Sequence, residues 1–342
     1  MALVGRGRHV ALWLNPNAKQ VRPSVVEAFR RGLPEATLIT ARTMDEARER
    51  AKKLARTPPP LLLCGGGDGT AVTLVNLLRS EGVRQFPLMG FLRLGTGNGW
   101  PNATGAPSWR RSLAMLPSMP LPPPTRRFNL IEVEGRLCHF CGVGWDAMVL
   151  HDYHRTIRRR ERQQVAPGLA SRLSKSVLGY LYAVARRTVP RELGRTLSQG
   201  RPRATVTNAG PPAYQLDRRG RLVLAGHGKQ LFDGHVSILC AGTEPFWGGG
   251  FKAFPFSGAV PGTFSLRVYD RPVLEGVANS VNLWAGRRVR GMSDFFVSKV
   301  RVVFSRPMPF QVGGDVVGHR TTLELALAEE TLEAVDWPTL VG

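Results

Sequence analysis

Two glycine-rich segments contain the residues of this sequence that are best suited to chemistry. One is Gly65–Thr70 (GGGDGT), which lies between an apolar run and an apolar helical pattern, and the other is Leu94–Asn98 (LGTGN). Glycine lets backbone N–H groups approach an anion closely, and the first turn of a helix adds partial positive charge. The pattern therefore predicts loops that bind a polyphosphate.

Asp68 is the only acid in these two segments, and its presence needs a separate explanation. A carboxylate repels phosphate, so we do not expect Asp68 to bind the anion directly. Either it holds a divalent cation beside the phosphate, or it holds neighbouring loops together by accepting backbone N–H bonds. The spacing fits neither a Walker A loop nor the Gly-x-Gly-x-x-Gly pattern, and a tight turn that only needs glycine is the alternative.

Alternating strand and helix patterns surround these segments in the N-terminal third of the chain. Strands are predicted at Val10–Leu14, Ala36–Thr40, Leu61–Cys64 and Leu88–Leu92, and helices at Val21–Arg31, from Thr43 to about Arg56, and at Thr70–Arg79. This order predicts an α/β domain with a doubly wound parallel sheet over residues 1–120. Because ligands bind at the carboxyl ends of such strands, the turns after the first, third and fourth strands should meet at one edge.

The rest of the chain is typical of a second, β-rich domain. The proline-rich stretch Leu116–Arg127 predicts a connector between domains. Short β-like runs then predict a β-rich domain, either a sandwich or a barrel, over residues 128–330, with a C-terminal tail over residues 331–342. These runs are Phe128–Glu134, Leu137–Val143, Ala204–Asn208, Leu222–Ala225, Val236–Cys240, Phe264–Tyr269, Val300–Phe304 and Thr322–Leu327.

The charge of the chain favours an anionic partner. Lys and Arg number 47 against 25 Asp and Glu, which gives a formal charge of +22, although a solvated basic surface would give the same number. A basic, partly helical insertion at residues 151–190 fits an anionic membrane surface. We expect no nucleic-acid partner, because no nucleic-acid motif accompanies these charges. No apolar run approaches the ~18 residues of a spanning helix, so we expect a cytoplasmic protein that is peripheral at the membrane.

Taken together, these motifs resemble the diacylglycerol kinase catalytic domain family, which includes bacterial lipid kinases, sphingosine kinases and ceramide kinases. The two glycine-rich segments carry most of the resemblance. Asn15-Pro16 resembles the Asn-Pro that ends the first strand in that family, and Thr40 falls at a nucleotide-contacting threonine. Further along the chain, the similar segments are Gly142–Ala147 (GVGWDA), Gly248–Gly250 and Gln311–Asp315 (QVGGD).

The resemblance implies ATP- and Mg-dependent phosphorylation of a hydroxyl on a diacylglycerol- or sphingoid-like lipid. The fold that it implies is an α/β nucleotide-binding domain followed by a mainly antiparallel, β-sandwich-like domain, whose cleft receives the lipid. It implies that Asp315 is the catalytic base and that Asp68 is a catalytic residue that holds Mg²⁺ through the bound ATP. The nucleotide-binding residues that it implies are Asn15, Pro16, Thr40, Gly65, Gly66, Gly67, Asp68, Gly69, Thr70, Gly95, Thr96, Gly97 and Asn98.

Three acidic positions of the family are changed in this sequence. The Asp that follows Gly-Thr-Gly-Asn is Gly99, an Asp-Gly near a structural ion is Pro261-Gly262, and the Asp-Gly-Glu that contains the base is Gly313–Asp315. We therefore do not expect the structural ion. Two alternatives stay open: a weakened member that binds nucleotide or lipid as a membrane-associated module, and an NAD kinase, which shares the Gly-Gly-Asp-Gly turn.

Overall fold

A computed structural model of the chain describes residues 10–145, 147–148, 189–226, 229–248 and 250–341. The helices are α1 (Pro23–Gly32), α2 (Met44–Arg56), α3 (Asp68–Ser80), α4 (Gly99–Ala103), α5 (Trp109–Met115), α6 (Val189–Gln199), α7 (Val273–Ala278), α8 (Ser280–Trp284) and α9 (Trp337–Val341). The strands are β1 (Val10–Leu14), β2 (Thr37–Thr40), β3 (Leu61–Gly66), β4 (Leu88–Arg93), β5 (Thr125–Val133), β6 (Arg136–Cys138), β7 (Phe140–Gly144), β8 (Arg203–Asn208), β9 (Ala213–Leu216), β10 (Leu222–Gly226), β11 (Gln230–His235), β12 (Ile238–Gly242), β13 (Phe264–Tyr269), β14 (Met292–Val297), β15 (Lys299–Val312) and β16 (Asp315–Val335).

The chain forms two compact units that do not follow the sequence as two continuous stretches. The first unit takes its described residues from 10–139, 244–252 and 328–341, and the second from 140–243 and 253–327. The predicted ranges 1–120, 128–330 and 331–342 divide the chain at single points instead. The two short returns to the first unit matter for function, because one of them reaches the glycine-rich loops.

A parallel sheet with helices on both faces forms the first unit. Its strand order is β2-β1-β3-β4, followed by the end of β16, which lies parallel to β4 at Ala334 and Met89. Adjacent residues of β1 face opposite sides: Leu12 lies in the apolar cluster of Phe29 from α1, and Trp13 lies in that of Leu74 from α3. This burial on both faces explains why the strands read as continuous apolar runs.

The second unit is a mostly antiparallel sheet. Its strand order is β10-β9-β14-β13-β12-β7-β15, and β15 pairs further with β8 and with the first part of β16. Among the described residues, every pairing within this unit is antiparallel. The predicted fold class, a parallel α/β region followed by a mainly antiparallel region, is confirmed.

One predicted feature lies mostly outside the described residues. The basic insertion at residues 151–190 falls almost entirely in the segment 149–188, which the structure does not describe. Within the part of the chain that is described, no helix is both long and apolar enough to cross a membrane.

Candidate functional site

The carboxyl ends of four parallel strands lie in register at one edge of the first sheet. Leu14 pairs with both Thr40 and Gly65, and Gly65 in turn pairs with Leu92. The segments that leave this edge are the turn after β1, the turn between β3 and α3, and the loop between β4 and α4. The strand order alone predicts this convergence, and the register places the three loops side by side.

The two glycine-rich loops pack backbone against backbone, with no room for a side chain at Gly95. A Cβ atom built on Gly95 would lie 2.5 Å from the Cα of Gly67 and 2.7 Å from the carbonyl oxygen of Gly66. By contrast, a Cβ atom on Gly67 would meet nothing closer than 4.0 Å. Glycine at position 95 is therefore required by the approach of the loops, and not by its own backbone angles.

Asn98 closes the second loop into a compact ring. Its backbone is left-handed, with φ of 53° and ψ of 42°, a conformation that asparagine adopts more readily than most residues. The Asn98 side chain accepts the N–H of Gly95 through Oδ1 and donates to the carbonyl oxygen of Gly95 through Nδ2, both at 3.0 Å. Gln20 donates to the same carbonyl at 3.0 Å. These bonds fix the path of the loop and leave Thr96 exposed at its tip.

The turn after β1 is tied to the first glycine-rich loop through Asn15. Its Nδ2 donates to Oγ1 of Thr70 at 2.9 Å, and its backbone N–H donates to the carbonyl oxygen of Gly65 at 3.0 Å. Pro16 follows as a half-buried residue, and Thr40 is exposed at the end of β2. The predicted residues of the first sheet thus share one edge, with Asn15 acting as the link between two of its turns.

Asp68 is the first residue of α3 and links the two loops through its carboxylate. Its Oδ1 accepts the backbone N–H of Trp100, the second residue of α4, at 3.1 Å. Its Oδ2 faces the second loop, since a Cβ atom on Gly97 would lie 2.7 Å from it. Burial raises the pKa of the half-buried Asp68, while the backbone N–H groups of Gly99 and Trp100 lower it.

A buried aromatic group anchors the helix that Asp68 holds. Trp100 is stacked on Phe91 at 4.9 Å between ring centroids, and Phe128 meets it edge-on at 5.4 Å. The imidazole of His139 lies 4.5 Å from the same indole ring. Burial lowers the pKa of His139 to about 3, so this imidazole is neutral at physiological pH. The aromatic cluster fixes the position of α4. The position of α4 in turn fixes the backbone N–H of Trp100, which donates to Asp68.

The returning segment 244–252 completes the surroundings of Asp68 within the first unit. A Cβ atom on Gly248 would lie 3.3 Å from the Cα of Gly97 and 3.8 Å from Oδ2 of Asp68. A Cβ atom on Gly99 would lie 3.3 Å from each of three atoms: Oδ1 of Asp68, Nε2 of His139 and the carbonyl oxygen of Phe246. Position 99, which is an acid in the family that the motifs resemble, therefore has little space here for a side chain.

Glu244 is the one acidic residue in the sequence of this returning segment. Burial raises the pKa of the half-buried Glu244 to about 8, and the positive charge of Arg126 offsets only part of this shift. A neutral carboxylic acid in the folded state is a recurrent feature of functional sites, although buried structural groups show it too. Sequence reasoning does not find Glu244, because nothing in the local pattern marks it.

The Glu244→Gln variant should weaken the pH dependence of stability. The folded-state pKa of Glu244 lies above its unfolded value, so the folded chain binds an extra proton between about pH 4.5 and pH 8. The stabilisation is complete below this window and is lost as the pH rises through it. At pH 9 the variant should gain about 2 kcal/mol over the wild type, less than the full shift implies, because Glu244 keeps some contact with water.

Melting curves from pH 5 to pH 9 check this expectation. The control is Glu81→Gln, which changes an exposed glutamate of the same unit and should follow the wild type throughout. If the Glu244→Gln and Glu81→Gln curves coincide at every pH, Glu244 is ionised in the folded chain and the argument fails.

Asp315 lies in the second unit, at the turn between the two longest strands. Gly313 and Gly314 form this turn with positive φ angles of 57° and 92°, and Asp315 pairs with Val312 across it. The N–H of Gly314 is accepted by Oε1 of Gln311 at 2.9 Å. Asp315 is exposed at the tip of this hairpin. Its predicted role as a base stays a prediction.

The residues around Asp68 fit a metal that arrives with a nucleotide better than a metal held by protein alone. Among the described residues, no group of three or more His, Cys, Asp or Glu is placed to hold a metal ion. Mg²⁺ is commonly bound through one or two carboxylates together with substrate phosphates. A single half-buried carboxylate beside amide-rich loops is compatible with that arrangement.

Comparisons with known proteins agree with this geometry. Residues 9–116 match the model of the diacylglycerol kinase catalytic domain. A solved structure of a diacylglycerol kinase from Bacillus anthracis str. Sterne is similar with a TM-score of 0.63 at 12% identity, over 97% of this chain and 98% of that chain. A structure of a candidate diacylglycerol kinase from the same strain gives a TM-score of 0.65 at 14% identity, over 97% and 98%.

A search of curated proteins gave no match. The match over residues 9–116 includes both glycine-rich loops, and it confirms the predicted resemblance to the diacylglycerol kinase catalytic domain family. At identities of 12% and 14%, the similarity to the solved structures shows a shared fold and nothing about activity. They extend the likeness beyond the matched segment, since they cover nearly the whole chain.

Proposed function

We propose that this protein is a lipid kinase that transfers the γ-phosphoryl group of ATP to a hydroxyl group of a diacylglycerol- or sphingoid-like lipid. One observation carries the proposal: the Asp68 carboxylate lies where the two glycine-rich loops meet, inside a segment that matches a kinase catalytic domain. Phosphoryl transfer depends mostly on positioning and on electrostatic stabilisation. Two loops locked together by close packing and hydrogen bonds supply that positioning.

In this proposal the loops bind the phosphates of ATP. Backbone N–H groups of the first loop around Gly67 and of the second loop around Thr96 donate to phosphate oxygens, and the start of α3 adds its partial positive charge. Asn15 holds the first loop through Thr70, while Thr40 contacts the nucleotide from the end of β2. Asp68 would hold the Mg²⁺ that accompanies ATP. When bound, Mg²⁺ neutralises negative charge on the phosphoryl oxygens.

Asp315 acts on the acceptor lipid. Its carboxylate orients the hydroxyl group and takes the proton from that oxygen as the new O–P bond forms, while the bond from the γ-phosphorus to the bridging oxygen breaks. ADP leaves with the bridging oxygen, and the lipid keeps the phosphoryl group. The exposure of Asp315 at a glycine turn lets a substrate reach the carboxylate.

A cavity on the same hairpin suits an amphiphilic acceptor. It has a volume of about 270 Å³ and lies in the second unit, where apolar Trp145, Met148 and Met308 share its lining with Arg306 and His319. His319 pairs with Pro309 along the hairpin that ends at Asp315. The three residue steps from Pro309 to Val312 span about 10 Å of strand. An apolar chain in the cavity would thus leave a lipid headgroup within reach of the hairpin tip.

The Asp315→Asn variant should keep ATP binding and lose most of the transfer. Asparagine has nearly the same shape and cannot accept the proton, and a general base contributes about 10²–10⁴-fold to a rate. We expect a fall of at least about 100-fold in kcat with an unchanged Kd for ATP. The control is Asp233→Asn, an exposed aspartate in β11 of the same unit that pairs with Arg203. Equal rates in the two variants would remove Asp315 from the mechanism.

The direct test of the proposal is the transfer of labelled phosphate from ATP to a lipid panel. The panel contains diacylglycerol, monoacylglycerol, sphingosine and ceramide in mixed micelles, and NAD is assayed beside it. We expect a labelled lipid phosphate and no labelled NADP. Labelled NADP in the absence of labelled lipid would identify an NAD kinase instead.

The three changed acidic positions favour one second candidate, a module that binds nucleotide or lipid without transfer. Gly99, Pro261 and Gly313 stand where the family that the motifs resemble carries acids. The crowding around Gly99 is consistent with a site that has adapted to the loss of that acid. ATP binding by calorimetry, together with no labelled lipid from the wild type, would establish the module.

A further inference from the structure

An exposed basic and apolar surface on the second unit has no part in the proposed chemistry. It consists of residues 217–224, at the β9–β10 turn and the start of β10, and residues 281–291, from α8 to the start of β14. We name it the hairpin–loop surface. Nη1 of Arg288 donates to the carbonyl oxygen of Asp217 at 2.8 Å, and it lies 3.6 Å from where a Cβ atom on Gly220 would be. These contacts hold the turn and the loop together.

The hairpin–loop surface exposes large aliphatic side chains. Leu222 is 44% exposed and Leu224 is 62% exposed, and because they are two residues apart they lie on the same face of β10. Val281 of α8 is 77% exposed. Within the described residues β10 pairs with β9 alone, so it is an edge strand. Exposed leucines on an edge strand are typical of a surface that is buried against a membrane or a binding partner.

Positive charge surrounds these aliphatic side chains. Residues 217–224 and 281–291 contain six arginines and one acid, Asp217. That acid is already paired: its Oδ2 lies 2.9 Å from Nε of Arg221, and the backbone N–H of Arg221 holds the pKa of Asp217 below its ordinary value. The exposed arginines are Arg218, Arg219, Arg221, Arg287 and Arg290. The surface therefore carries a strong net positive charge beside apolar groups.

We propose that the hairpin–loop surface docks the protein on anionic lipid membranes. Arginines near an anionic leaflet are attracted by its negative surface potential, and the leucines add apolar burial at the headgroup boundary. Single-stranded nucleic acid would use the same charge, but its bases stack on aromatic side chains. Among the described residues, the exposed large apolar side chains are aliphatic or methionine. The proposal deepens the proposed function, since docking would bring the chain to its lipid acceptor.

Flotation with vesicles tests docking without any phosphate transfer. Vesicles of phosphatidylcholine alone are compared with vesicles in which half of it is replaced by phosphatidylglycerol, in the absence of ATP. The double variant Arg218→Gln/Arg219→Gln should bind the anionic vesicles about 30-fold more weakly than the wild type. Leu224→Ser should weaken binding about fivefold, with the remaining binding more sensitive to salt. Because the full chain is used, the segment 149–188 is the same in every variant.

Matched controls come from α2 of the first unit. Met44 is 49% exposed and Arg50 is exposed, so Met44→Ser and Arg50→Gln remove the same kinds of side chain elsewhere. Both should bind vesicles like the wild type. Docking by this surface is overturned if the controls weaken binding as much as the surface variants do, or if the surface variants lose binding to single-stranded DNA while keeping vesicle binding. A chain that docks and labels no lipid would remove the proposed kinase function and leave the docking surface in place.

Discussion

The Asp68→Asn variant should lose phosphate transfer almost completely while remaining folded. The amide oxygen of asparagine can still accept the N–H of Trp100, so the link between α3 and α4 is kept. The negative charge is lost, and with it the group that would hold Mg²⁺ beside the phosphates. Electrostatic groups of this kind contribute about 10²–10³-fold or more to a rate, so we expect a fall of about 1,000-fold in kcat. Initial rates with the best lipid of the panel measure it.

The control and the melting temperature separate chemistry from structure. Asp45→Asn changes an exposed acid in the first turn of α2 and should leave the rate unchanged. Asp68→Ala removes the acceptor oxygen as well as the charge, so it should lose stability in addition to activity. Suppose that Asp68→Asn keeps more than a tenth of the wild-type rate, while the melting temperature of Asp68→Ala lies well below that of the wild type. Asp68 then serves only to hold the loops together.

The first unit follows closely from its sequence. The strands β1 and β4 are continuous apolar runs, and buried parallel strands require this pattern. The cap of α2 is also local: Oγ1 of Thr43 accepts the N–H of Glu46, as the spacing predicts. The predicted end of β3 and start of α3 are slightly displaced, because Gly65 and Gly66 continue to pair with β4 and α3 already begins at Asp68.

The parts of the site that are distant in sequence could not be predicted in the same way. Phe246 and Gly248 reach the loops because the chain returns to the first unit after a long excursion, and no local pattern encodes that return. His139 interrupts a run that reads as one strand, so Leu137–Val143 is predicted whole and is observed as two strands. The strands β9, β11 and β14 are missing from the prediction, and their partly polar sequences give weak local signals.

Gly95→Ala should be among the most destabilising single changes in the first unit. The added methyl group would lie 2.5 Å from the Cα of Gly67 and 3.1 Å from its backbone nitrogen, and neither atom can rotate away. The loops would have to separate, which breaks the bond from the Trp100 N–H to Asp68 that links them. Overpacking costs about 1–3 kcal/mol where side chains can yield, so a clash with backbone should cost about 3 kcal/mol or more.

The matching change on the facing loop makes this test specific. Gly67→Ala adds the same methyl group where nothing lies within 4.0 Å, and its φ of −92° suits alanine. It should melt like the wild type. Calorimetry with ATP then tests whether the loops bind the nucleotide. Gly95→Ala should lose affinity for ATP together with stability. Gly67→Ala should lose affinity alone, because its methyl group occupies space that a phosphate needs. If both variants bind ATP as tightly as the wild type, the phosphates bind elsewhere, and the close packing of the two loops serves the fold only.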